Sequence, residues 1–369
     1  MAGTACVVAV APSTGVVGRA RVAATKWLFS KLRDLGAAPG LFVLTPEIRG
    51  WGDLEVVPTP REGFRWGEAL GSFVERARPR RLLYFSAGSG FLLGERELTS
   101  LLDLDFPEPF AVLNNFYSTD FALICPPRIE VFRGLTNDNA LGWRLWELGY
   151  RCFELPRSAR TQFDIDTPGE LQVLACKVDL PPALAEVLRP IPRAEALLSA
   201  LVEPGSRITL LGRVSGHLLR FLDRKAACRT RVLSEARGMK AEGRRDRPLI
   251  LGLYEALGPE GLVEELSRAS DVVVWDIRVL FAGLGIWPPP EERFSFDLLE
   301  EGGVTQPVLR ELLGAIKRAG IPFLLGGHTL VSGAIYLAVE LAWRRADWVK
   351  GLVRLEEDDE AELVEIRPR

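Results

Sequence analysis

The chain has 369 residues, enough for two separately cored domains, and its 47% hydrophobic and 26% charged content is that of a globular protein. A net charge of -3 argues against a generic nucleic-acid binder, and no apolar run approaches the length of a membrane span. Five cysteines (6, 125, 152, 176 and 228) lie far apart with no Cys-x-x-Cys pair. That scatter predicts reduced thiols, no structural zinc and a cytoplasmic location, and no signal peptide is expected ahead of Cys6.

Apolar strands alternate with helical periods through the first half. Strands are predicted at 6–10, 41–45, 81–85, 110–113, 120–124 and 151–155. Helices are predicted near 20–35, 66–77, 95–102, 138–149 and 168–175. This pattern reads as a layered α/β domain over 1–180. Prolines 181, 182, 190, 192 and 204 punctuate a linker at 181–205. A second, smaller α/β domain is predicted at 206–355. Its strands fall at 207–211, 228–233, 271–275 and 321–325, and its helices near 216–225, 249–268, 305–319 and up to about 345. Residues 356–369 form an acidic tail, read as solvated or as a terminal strand. Trp143, Trp146 and Trp343 sit among Leu and Ala at helical spacing and are assigned to core packing.

Asp164-Ile165-Asp166-Thr167-Pro168 is the most informative stretch. Two acids spaced by two in an extended segment leave one face of a strand. Paired carboxylates suit Mg²⁺, which takes hard oxygen ligands and shares them with phosphates. Two solvated acids at a strand end are the alternative. Thr167 is the expected N-cap of a helix opened by Pro168.

Three segments carry a family resemblance. They are Ser118-Thr-Asp-Phe-Ala-Leu-Ile-Cys-Pro-Pro127, Asn137-Asp-Asn-Ala-Leu-Gly-Trp-Arg-Leu-Trp-Glu-Leu-Gly149 and Asp164-Ile-Asp-Thr-Pro-Gly-Glu-Leu171. In order and spacing, residues 111–174 resemble the C-terminal half of the 2-phospho-L-lactate guanylyltransferase family of deazaflavin-coenzyme biosynthesis, within the MobA-like nucleotidyltransferases. The resemblance implies a nucleotide-diphospho-sugar-transferase-like fold, with Asp164 and Asp166 as Mg²⁺ ligands. It also implies that Ser118, Thr119 and Asp120 lie near base and substrate, with GTP as the favoured NTP and a small phosphorylated acceptor. The family's glycine-rich cationic loop corresponds loosely to Gly15, Gly18, Arg19, Arg21 and Lys26. Gly88 stands where the family places a further metal-binding Asp after a central strand, and that departure bears on catalysis. Gly88-Ser89-Gly90 with Gly94 misses the dinucleotide fingerprint by one place and is read as a turn.

In the second domain, Gly212-Arg213-Val214-Ser215 and Gly326-Gly327-His328-Thr329 are strand-to-helix turns whose amides suit an anion. With Arg278 they define a candidate second anion site, in which His328 is a candidate acid or base. A packing turn and salt-bridged surface residues are the other readings. The basic loop 237–247 is read as a phosphate clamp or a solvated loop. The leading expectation is Mg²⁺-dependent nucleotidyl transfer from an NTP to a phosphorylated small acid or sugar. The alternative is a catalytically degenerate nucleotide-binding or scaffold protein, with any chemistry in the second domain. Nucleic acid and membrane are not expected partners, and a homodimer is left open.

Overall fold

The computed structural model describes residues 3–37, 40–47, 49–60, 62, 64–106, 109–189, 193–237, 247–346 and 363–366. Most of the basic loop and most of the acidic tail lie outside the described residues. Two compact units emerge: residues 1–14, 18–164 and 357–369 in the first, 15–17 and 165–356 in the second. Among the described residues no helix is long and apolar enough to cross a membrane.

In chain order the first unit contains β1 (Thr4–Ala9), α1 (Gly15–Asp34) from Gly18 onward, β2 (Leu41–Thr45), β3 (Glu55–Pro58), α2 (Trp66–Ala77), β4 (Arg81–Ser86) and α3 (Glu95–Asp103). It continues with β5 (Phe110–Leu113), β6 (Phe121–Cys125), α4 (Ile129–Phe132), α5 (Leu141–Glu147), β7 (Arg151–Glu154) and α6 (Ala159–Gln162). The second unit contains α7 (Pro168–Leu174), α8 (Pro182–Leu188), α9 (Glu195–Leu201), β8 (Arg207–Gly212), α10 (Gly216–Lys225) and β9 (Arg229–Ser234). Then come α11 (Leu249–Ala269), β10 (Val272–Asp276), α12 (Arg278–Gly283), α13 (Pro290–Asp297), α14 (Pro307–Arg318), β11 (Phe323–Gly326) and α15 (Gly333–Arg345). A last strand, β12 (Val364–Glu365), returns to the first unit.

The first unit is built on an eight-stranded sheet in the order β12-β7-β5-β6-β4-β1-β2-β3. β6 runs antiparallel to β4 and β5, and β12 antiparallel to β7; the other pairs are parallel. Strands buried on both faces read as continuous apolar runs, and Cys6–Ala9 and Leu82–Phe85 are buried throughout. Tyr84 and Phe85 leave opposite faces. Tyr84 packs with Trp66, whose indole donates to the Tyr84 hydroxyl at 2.6 Å. Phe85 packs with Phe121.

The second unit is built on four parallel strands in the order β11-β10-β8-β9. Its core gathers Trp275, Phe281, Phe296, Leu309 and Leu312. The long helix α11 is interrupted at Gly258, just before Pro259, where proline disfavours the α conformation of the residue preceding it.

Three sequence expectations are corrected. Residues 163–166 form no strand. α6 ends at Gln162 and α7 begins at Pro168, so the acids lie on a short connection with no sheet partner. The stretch 181–205 carries α8 and α9, because Pro182 stands in the first turn of α8, where proline starts a helix rather than breaking one. Trp143 and Trp146 are 38% and 43% exposed rather than core residues; Trp143 meets Phe116 and Tyr117 edge-to-face, and Trp146 meets Trp143.

Candidate functional site

In the first unit, chain order reverses at β1. β2 lies on one side of it and β4 on the other. Ligands of open α/β sheets gather outside the carboxyl ends of the strands at such a reversal. The two loops leaving that edge are tied together, the Ala87 amide donating to the Ala9 carbonyl at 3.1 Å.

β6 runs antiparallel, so its start brings Asp120 to the same edge as the end of β4. The Asp120 carbonyl accepts from the Ser86 amide at 2.7 Å and from Ser89 Oγ at 3.0 Å. Buried Asn114 fixes the side chain. Its Nδ2 donates to Asp120 Oδ2 at 2.9 Å and to the Thr161 carbonyl at 3.0 Å, and its Oδ1 accepts from the Asp120 amide at 2.8 Å. Asn114 therefore joins Asp120 to the turn three residues before Asp164. Asp164 itself is buried, whereas Asp166 is exposed and belongs to the second unit.

Ser118 Oγ donates to Asn139 Oδ1 at 3.0 Å. Beside it, the Tyr84 hydroxyl donates to Asp138 Oδ2 at 3.0 Å. Burial first, then Asp138, pushes the Tyr84 hydroxyl well above its usual range, so it stays a proton donor. Thr119 is fully buried and donates to the Asn115 carbonyl at 2.9 Å, so it builds the turn. Arg19 is exposed on α1, and Gly18 packs against the Ser13 backbone. Gly15 opens the helix with φ +66°. Lys26 lies eight residues beyond Gly18, about 12 Å along the helix, too far to share a phosphate with it. It lines a pocket of about 210 Å³ with Ser30, Arg33, Trp51 and Asp53.

Gly88 adopts φ +102°, a backbone that L side chains rarely take. Gly88→Asp is therefore expected to lower the unfolding free energy by about 1–3 kcal/mol. Urea unfolding of the variant checks this. An unchanged midpoint would mean the turn relaxes freely.

Several other predicted residues come together in the second unit. Thr167 caps α7, and Glu170 closes the capping box. Glu170 accepts from the amides of Asp166 and Thr167, and from Thr167 Oγ1 at 2.6 Å. Burial first, then Asp166, pushes the Glu170 carboxyl up to about 8. The start of α7 packs on the glycine turn after β11. A Cβ on Gly326 would sit 2.9 Å from Thr167 Oγ1, and one on Gly327 3.1 Å from Thr167 Cγ2. Thr329 Oγ1 donates to Asp166 Oδ2 at 3.2 Å. His328 is pushed down to about 4 by loss of solvent first, then by Arg213, with Asp276 and Asp166 opposing. It is neutral at pH 7.

Here too chain order reverses, between β8 and β10. At that point Arg213 grips the fully buried Asp276, Nε to Oδ2 at 2.6 Å and Nη2 to Oδ1 at 3.1 Å. Ser215 caps α10, accepting from the Leu218 amide. Arg278 faces a different acid, the buried Asp297. Both arginines of the predicted anion site are thus committed to carboxylates. β10 stands between β8 and β11, so the two glycine turns do not leave neighbouring strands.

Asn114 and Asp297 escaped the sequence reading, and no local spacing marks them; Asp138 and Asn139 were read only as part of the segment 137–149, with no role of their own. Glu170 was readable, as the fourth residue of a Thr-x-x-Glu capping box. Among the described residues no three His, Cys, Asp or Glu side chains group as a metal cage. Asp120 at the edge of the first sheet and Asp164 are hard oxygen donors of the type Mg²⁺ takes, and that ion commonly uses one or two carboxylates with substrate phosphates. No family model and no curated protein matches the chain.

Proposed function

We propose that the first unit transfers a nucleotidyl group from an NTP, GTP favoured, to a phosphorylated small acid or sugar with Mg²⁺. The observation that carries this reading is the reversal at β1 and β4, where an Asn-held carboxylate meets a glycine turn. The mixed, largely parallel sheet is compatible with a nucleotide-diphospho-sugar-transferase-like fold, and the resemblance of segments 118–127, 137–149 and 164–171 points the same way. Mg²⁺ would neutralise phosphate charge and align the attacking group. Asp164 is a ligand candidate on this unit. Arg19 offers a cation to the departing pyrophosphate. Ser118 and Asn139 offer neutral hydrogen-bond groups to base or acceptor.

Thermal shift with GTP, ATP and CTP, each with Mg²⁺, tests the binding step. At least one should raise the melting temperature, since a ligand held at about 100 times its Kd adds about 2.7 kcal/mol. No shift with any NTP at millimolar concentration would favour a scaffold. Pyrophosphate release with a phosphorylated acid tests turnover. A second reading puts the chemistry in the second unit, favoured by neutral His328 near Asp166 and Arg213. Loss of turnover in His328→Gln but not in Asp164→Asn would select it.

A further inference from the structure

We propose that the outer face of the first half of α11 pairs with the same face of a second copy of this chain, antiparallel and centred on Leu253. Residues 249–257 lead from the start of α11 to its break at Gly258, a run of about 13 Å. Ile250, Leu251 and Tyr254 bury one side of it in the core of the second unit. On the other side Leu249, Leu253 and Leu257 recur every four residues and so share a face, 58%, 38% and 44% exposed. Gly252 and Ala256 fall between them. Ala256 is exposed, and a Cβ on Gly252 would meet nothing within 4 Å, so a second helix can approach closely there. Glu255 is the one charged residue of the nine. A surface helix ordinarily turns charge to water, and a helix apolar on both sides is ordinarily buried on both. The face is also held in place, because Glu235 accepts from the amides of Leu249 and Ile250 at the helix start.

Charge selects the occupant. Along the chain, residues 237–247 carry five cations and two acids, whereas residues 255–265 carry four acids and no cation. An antiparallel copy sets each run against its opposite, with Arg247 near the partner's Glu260 and Leu249 against the partner's Leu257. A parallel copy would set like charges together. The same patch on both chains then meets itself across a two-fold axis, which closes the assembly at two copies.

Sedimentation equilibrium of the full chain tests the pairing. One short helix face lies at the weak end of specific interfaces, so the concentrations run from about 1 µM to about 500 µM, and the mass should rise from one chain to two. Leu257→Lys places a cation at the end of the helical run, where the helix dipole accepts it, and beside the partner's Arg247. Its melting at about 1 µM should match wild type, while its self-affinity falls by about tenfold or more. Leu253→Cys should cross-link to its own counterpart under mild oxidation, and Leu219→Cys, a similarly exposed leucine on α10, should not. Wild type that stays monomeric at about 500 µM overturns the proposal. A monomer whose Leu257→Lys variant also melts lower assigns the face to a segment of the same chain instead. A dimer that Leu257→Lys leaves intact lies on another surface. Cross-linking at 253 no stronger than at 219 overturns the antiparallel pairing.

Discussion

Replacing Arg278 by leucine should lower the unfolding free energy by about 3–5 kcal/mol near pH 8, the usual cost of stranding one member of a buried ion pair. Arg278 and Asp297 are both buried, and their contact is the main compensation for taking two charges out of water. It is incomplete. Arg278 Nη1 and Asp297 Oδ1 each lack a hydrogen-bond partner among the described residues. Burial lifts the Asp297 carboxyl from 3.8 to about 6 even with Arg278 beside it. A carboxyl whose folded pKa is raised binds its proton more tightly in the folded state. It therefore favours folding below about pH 4, and that contribution is lost as pH rises towards 6. Without Arg278 the carboxyl should climb further, so the loss of stability extends upward in pH and shrinks in acid. Urea unfolding at pH 5 and pH 8 reads the difference directly. Arg278→Leu with Asp297→Leu should recover most of the loss, because a well-packed apolar pair replaces a poorly satisfied ionic one. A loss below about 1 kcal/mol at pH 8 would mean water already reaches the pair.

The strands were the most legible part of the molecule. β1, β2, β4, β5, β8 and β10 are short, mostly apolar runs, and their observed limits lie within one or two residues of those expected. β3 was not read, because Glu55-Val-Val-Pro58 is short, part-exposed and contains a proline. α8 and α13 were hidden behind prolines that start helices as well as break them. The strand reading of 163–166 failed for a physical reason. A two-residue spacing fixes a shared face only where a neighbouring strand holds the backbone extended, and here none does. Site residues were legible as types and positions, not as partners. Arg213 and Arg278 were read as members of one anion site. That Arg213 would pair with Asp276 and Arg278 with Asp297 depends on which strands are neighbours and on where α13 lies, and no local pattern carries either. The same holds for Asp166, whose contact with Thr329 joins residues far apart in sequence.

Gly212→Ala should cost more than an ordinary glycine substitution, about 3 kcal/mol or more, because two penalties coincide. The first is conformational. Gly212 ends β8 with φ +112°, outside even the small left-handed region open to L residues. The second is steric. A Cβ there would lie 2.5 Å from Asp276 Cβ and 3.1 Å from the Asp276 carbonyl oxygen. Neither atom is the loose end of a flexible side chain. Asp276 ends β10, and its carboxylate is clamped by Arg213 in two places. Relief therefore requires β8 and β10 to part, or Asp276 to turn away from Arg213 and leave a buried charge partly unpaired. Gly285 is the control. It has φ +68° and nothing within 4 Å of an added Cβ, so its alanine variant meets only the backbone penalty of about 1–2 kcal/mol. Chemical unfolding of the two variants side by side separates the terms. A larger loss for Gly212→Ala identifies the contact with Asp276 as the reason for glycine at the reversal point of the second sheet. Equal losses would reduce its role to backbone freedom, with the Arg213–Asp276 pair able to shift around an added methyl.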